Sequence, residues 1–140
     1  MPVLPAAAPL GGMAGDPEAD YEQAQRSYAN EDYELALQQF DAYLQRYPGT
    51  DLCANAQFWK GYSYFKLAKY QEAIAEFDKL RANYPASTKV PFGMHIQAMA
   101  LKELGQRGRA VALLKEVVEN YPMTPAADSS RTELETLQAQ

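Results

Sequence analysis

The chain has 140 residues, 47% of them apolar and 22% charged, with 13 Lys and Arg against 18 Asp and Glu, a net charge of −5. That balance describes a folded domain with a buried core and excludes a disordered polyelectrolyte. The acidic total, with no basic run, argues against a nucleic-acid partner, and no stretch approaches the roughly 18 consecutive apolar residues needed for direct membrane insertion.

Residues 1–16, MPVLPAAAPLGGMAGD, hold three prolines and three glycines and no charged side chain before Asp16. This composition sustains neither helix nor strand and predicts a flexible linker, leaving 17–140 as the folded domain. A linker at the very start implies a domain cut from a longer protein, with Met1 added by cloning. The stretch lacks the basic and continuously apolar parts of a secretory signal.

From residue 17 on, apolar residues recur at helical spacing, as in Tyr70, Ala73, Ile74, Phe77, Leu80 and Tyr84. The predicted helices cover 17–30, 33–46, 51–67, 70–83, 88–104 and 107–120, with a seventh at 124–138. Tyr47-Pro48, Tyr84-Pro85 and Tyr121-Pro122 each end a second helix of a pair, because proline disfavours helical geometry in the residue before it. Two residues after each proline stands Thr50, Ser87 or Thr124, an expected cap for the helix that follows.

The Tyr-Pro pairs recur at intervals of 37 residues, and the register extends to Ala24, Gly61 and Ala98, to Ala36, Ala73 and Ala110, and to Phe40, Phe77 and Leu114. Such a repeat predicts an all-α solenoid of three helical hairpins. The small residues let paired helices approach; the large ones fill the space between hairpins. The seventh helix, with Ala126, Ala127, Leu134 and Leu137 on one side, is expected to cap the last apolar face.

These residues resemble the tetratricopeptide family, whose pattern sets a small residue in the first helix, alanine and a large apolar residue in the second, and a closing proline. The units here are 37 residues long against the usual 34. Ser27 and Arg107 also depart from the pattern where tyrosines are usual. More narrowly, the Tyr-Pro-x-Thr/Ser junctions, the stretch Ala54-Asn55-Ala56-Gln57-Phe58-Trp59-Lys60-Gly61 and the closing Tyr-Pro-x-Thr-Pro-Ala-Ala are similar to the C-terminal domain of the YbgF family of cell division coordinators, also called CpoB. That resemblance covers 17–140. It implies a periplasmic scaffold of the Tol-Pal system that binds TolA and couples outer-membrane constriction to wall synthesis in cell division. It also implies a trimer formed through an N-terminal coiled coil that this sequence lacks. The alternative is an adaptor like the outer-membrane assembly lipoproteins, or another tetratricopeptide adaptor.

In such arrays the first helices line a concave groove. The resemblance carries this role to Tyr21, Gln25 and Tyr28, to Asn55, Phe58, Tyr62, Phe65 and Lys66, and to Phe92, His95, Met99 and Lys102. The face is rich in aromatics, which give large contact area at small entropy cost, although each ring taken singly is as well explained by packing between neighbouring helices, as expected for Trp59 and Tyr64. His95 is the only histidine and lacks ligand partners at metal spacing, so it is read as a groove contact; Cys53 is read as a small packing residue. Pro91 is expected to delay or distort the start of its helix. There is no phosphate-cradling glycine loop and no nucleophile motif, so neither catalysis nor a cofactor is expected.

Overall fold

The structure is a computed structural model that describes residues 15–140; the linker expected at 1–16 therefore lies, apart from Gly15 and Asp16, outside the described residues. Among the described residues there are seven helices and no strand: α1 (Pro17–Ala29), α2 (Tyr33–Arg46), α3 (Cys53–Lys66), α4 (Tyr70–Asn83), α5 (Lys89–Glu103), α6 (Arg107–Asn120) and α7 (Pro125–Gln138). They stack as three antiparallel hairpins plus a final helix, so the all-α solenoid expected from the repeat is the fold.

The helix ends show how sequence sets these limits. Tyr47, Tyr84 and Tyr121 leave helical geometry with ψ of 56°, 57° and 52°, while their amides still donate to Tyr43, Leu80 and Val117 one turn back. The expected caps hold for one helix in three. Thr124 accepts from the Ala127 amide at 3.1 Å, with Pro125 at the first helical position, where its missing N–H costs nothing. Thr50 instead bonds the Tyr43 hydroxyl at 2.7 Å, and α3 starts three residues later without a side-chain cap. Ser87 takes the Lys89 amide at 3.0 Å, but the residue flanking α5 is Thr88. Pro91, expected to disturb α5, is its third residue; the amide it lacks belongs to the first turn, where no intrahelical acceptor exists.

Within each hairpin the turn is made by a residue in left-handed geometry: Glu31 at φ 64°, Ala68 at 59° and Gly105 at 77°, again 37 residues apart. The next amide in each turn, of Asp32, Lys69 or Gln106, reaches back to Ser27, Tyr64 or Leu101 at 2.9 Å. This closure satisfies a carbonyl in the last turn of each first helix.

Phe40, Phe77 and Leu114 are buried on the second helices, and Ala24, Ala36, Ala73, Ala98 and Ala110 are fully enclosed. Gly61 is needed rather than tolerated, since a Cβ there would lie 2.9 Å from the Phe77 ring. Buried Glu76 on α4 accepts from Gln57 and pairs with Lys60 on α3 at 3.3 Å; Lys60 also meets Asp41 on α2 at 2.8 Å. Burial pulls the Lys60 ammonium down, but the two carboxylates outweigh it and hold its pKa above the usual lysine value. One ammonium thus joins three helices.

The first helices lie side by side on one face: α3 packs on α5, and α5 on α7. Neighbouring second helices make no comparable contact, so the array curves with its first helices inside. Ala126, Ala127 and Leu137 bury the inner side of α7 against α5 and α6, as expected of a cap.

Candidate functional site

The inner face divides into an open part and a part covered by α7. Between α1 and α3 the helix axes stand too far apart for close backbone packing, and long rings span the gap. Tyr28 on α1 meets Trp59 at 4.8 Å and Tyr62 at 5.7 Å between ring centroids on α3, and it meets Tyr33 at 5.2 Å across its own hairpin. Trp59 and Tyr62, one turn apart, lie nearly parallel at 9°. Phe65 and Tyr70 extend the row. Where this row crosses the α1–α3 gap, a cleft of about 260 Å³ opens, lined by Gln25, Tyr28, Ala29 and Trp59. Burial and the nearby tyrosine hydroxyls raise the Tyr28 phenol, which stays neutral at physiological pH.

Two lysines rest on these rings. The Lys66 ammonium lies 5.5 Å from the Tyr62 centroid, and that of Lys89 lies 5.1, 5.5 and 5.8 Å from Phe58, Trp59 and Phe92, within the range of cation–π attraction. Phe92 remains 36% exposed on the α5 side, beside a second cleft of about 340 Å³ between the Ala86–Thr88 loop, Tyr121 and Pro125.

The twelve residues expected to form the groove separate into three groups. Gln25, Tyr28, Tyr62, Phe65, Lys66 and Phe92 lie on or beside the open face. Tyr21 and Phe58 do not: they are 7% and 5% exposed, Tyr21 packed edge-on against Phe40 and Tyr43, and Phe58 against Phe77. Asn55 is half-buried beside the Tyr21 hydroxyl. His95, Met99 and Lys102 face α7 or its surroundings. His95 Nδ1 lies 3.2 Å from Ser130 Oγ, Lys102 pairs with Glu133 at 3.0 Å, and Met99 packs at the Leu101–Leu137 cluster. The cap covers the third of the face that periodicity alone leaves open.

Trp59, expected to pack between first helices, does so against Tyr28 and also lines the cleft. The residue that sequence reasoning missed is Lys89, which stands at the first position of its helix, where the repeat pattern carries no groove role. Its three neighbouring rings come from two helices, a juxtaposition without a linear signature. Cys53 is buried as expected, its Sγ 3.1 Å from the Tyr47 carbonyl. Among the described residues no cluster of His, Cys, Asp and Glu could hold a metal, and no helix is long and apolar enough to cross a membrane.

Comparison with known proteins agrees with this fold. The family described as YfiO, outer membrane lipoprotein, matches residues 13–139. The outer membrane protein assembly factor BamD of Caulobacter vibrioides is 21% identical over 113 residues, covering 75% of this chain but only 37% of its own length. Among solved structures, the type III secretion chaperone SycD of Yersinia enterocolitica, in complex with a peptide of the translocator YopD, superposes with a TM-score of 0.75 at 18% identity, over 87% of this chain and 92% of that one. The tetratricopeptide domain of Arabidopsis OM64 gives 0.71 at 14% identity, over 86% and 94%.

Proposed function

This chain belongs to the YfiO outer membrane lipoprotein family, and from that premise we propose that it is a non-catalytic interaction scaffold of the bacterial envelope, holding a segment of a protein partner on the face formed by α1, α3 and α5. The observation that carries the reading is the row of partly exposed rings Tyr28, Trp59, Tyr62 and Phe65 with an open cleft in it. Rigid aromatics around a pocket are what binding hot spots are made of. In SycD the same fold is seen with a peptide of its partner. The family match and the BamD relative favour an adaptor of the outer-membrane assembly kind, the alternative in the sequence reading, over the Tol-Pal kind.

The Tol-Pal reading, with TolA as partner, a periplasmic location, a role in division and a trimer built through a coiled coil, rests on the Tyr-Pro-x-Thr/Ser junctions and the Ala54–Gly61 stretch. It is the second reading.

A photo-crosslinking residue placed at Tyr62 in the chain expressed in cells tests both, with the exposed α2 position Gln38 as control. Adducts to an outer-membrane assembly protein from Tyr62 but not from Gln38 support the first reading, and adducts to TolA the second. Adducts from Gln38 alone would remove the groove from either. Calorimetry with the captured partner then compares the parent with Tyr28→Ala/Tyr62→Ala, a better pair than one containing the buried Phe58. Loss of two anchors weakens binding by about tenfold or more.

A further inference from the structure

The charge on the inner face runs against the charge of the chain. The protein carries −5 overall, yet α3 contains Lys60 and Lys66 and no carboxylate, and α5 contains Lys89 and Lys102 against Glu103 alone. Lys60 is satisfied by Asp41 and Glu76, and Lys102 by Glu133. Lys66 and Lys89 have no ion-pair partner among the described residues. Both stand on one continuous set of rings: Lys66 on Tyr62, Tyr62 against Phe58 and Trp59, and Lys89 over Phe58, Trp59 and Phe92. The carboxylates that follow the cleft in sequence, Glu31 and Asp32 in the α1–α2 turn, are exposed and make no ion pair with either lysine, Asp32 capping α2 instead. Glu18, Asp20 and Glu22 fall in the first two turns of α1, whereas the cleft uses its last residues, and Glu103 ends the helix that Lys89 begins.

We propose that the partner segment is acidic and amphipathic: an apolar side chain enters the cleft between Tyr28 and Trp59, and flanking carboxylates take the ammoniums of Lys66 and Lys89. A ring face offers an ammonium no hydrogen-bond acceptor of carboxylate strength, so an incoming carboxylate gains a charge-assisted bond without breaking an existing ion pair. Two such contacts on either side of an apolar anchor select against basic and neutral segments of the same shape. This inference rests on the groove reading and adds the chemistry of its occupant.

Trp59 is the only tryptophan and lies in the cleft, so its emission reports occupancy. The probes are three short synthetic peptides with the same Leu and Phe positions and with Asp, Asn or Lys between them. The Asp peptide is expected to shift Trp59 emission with an affinity about tenfold above that of the Asn peptide, and the Lys peptide to bind least. Raising the salt concentration is expected to narrow the gap. In Lys66→Gln/Lys89→Gln the Asp and Asn peptides should bind alike. Equal binding of the three peptides to the parent, binding of none, or an unchanged preference in the double variant would overturn the proposal. If the Asn peptide binds as well as the Asp peptide and Tyr28→Ala abolishes both, the groove stands and only the acidic partner falls.

Discussion

Replacing a helical glycine by alanine normally stabilises a protein by about 1 kcal/mol, through helix propensity and the entropy of the unfolded chain. Gly61→Ala should do the reverse. The added methyl would lie 2.9, 3.0 and 3.1 Å from three atoms of the Phe77 ring, and the same ring edge faces Gly93, where a Cβ would lie 3.0 Å from Phe77 Cδ1 and 2.8 Å from Leu80. The ring is 2% exposed and held between α3 and α5, so accommodation requires a helix shift. Overpacking of this kind costs about 1–3 kcal/mol, which offsets or exceeds the propensity gain and leaves a net loss of up to about 2 kcal/mol, or up to about 8 °C in melting temperature. Gly108 in α6 supplies the control: nothing lies within 4 Å of a Cβ there, so Gly108→Ala should hold or raise stability. Urea unfolding followed by circular dichroism measures both. A double-mutant cycle adds a sharper test, since Phe77→Leu should make room and recover about 1 kcal/mol or more of the Gly61→Ala loss. If Gly61→Ala melts higher than the parent, the close approach of α3 to Phe77 is wrong.

The other predictions concern the turns, the ion network and the cap. Ala68→Gly relieves a left-handed alanine and should raise stability by about 0.5–1 kcal/mol, while Gly105→Ala should lower it by about 1 kcal/mol; equal responses in thermal melts would contradict the turn geometry. Glu76→Ala leaves buried Gln57 unpartnered and Lys60 with Asp41 alone, and should cost about 2–3 kcal/mol in urea unfolding, well above the effect of removing exposed Asp128 from its pair with Arg131. His95 is held below the usual histidine pKa by burial, with Glu133 opposing that shift and Lys102 adding to it. Its neutral form is the one that folds, so its contribution is complete above an unfolded pKa near ~6.5 and is lost as pH falls through the lower folded value. Melting temperatures recorded from pH 7 down to 5 should therefore fall, and fall less in His95→Gln. An equal slope in the variant would remove His95 as the cause.

Most of the fold was legible in the sequence because the 37-residue register acts on backbone geometry. The Tyr-Pro stops depend on local sterics, and all three second helices keep their expected limits. The caps were less legible because hydroxyls have competing acceptors. Thr50, in the loop after α2, turns back onto the Tyr43 hydroxyl of that helix, an encounter fixed by the path of the loop and not by the repeat spacing. The same distinction separates the groove residues. Helical period identifies the inward side of a helix but not how near the next helix lies, so Tyr21 and Phe58, on the right side, sink into the core. His95 and Lys102, expected to line the groove, meet Ser130 and Glu133 of α7, whose distance from the first helices is not written in their spacing.

The gap between α1 and α3 has a mechanical side. The first hairpin is riveted to the array along α2 and α3, where backbones pack closely, but only buttoned along α1, where ring edges bridge the space. A button parts before a rivet, so amides of α1 should exchange with solvent faster than those of α5, which is flanked by helices on both sides. A segment wedged among the rings, as proposed above, would stiffen this seam, and tension along the array would be felt first there.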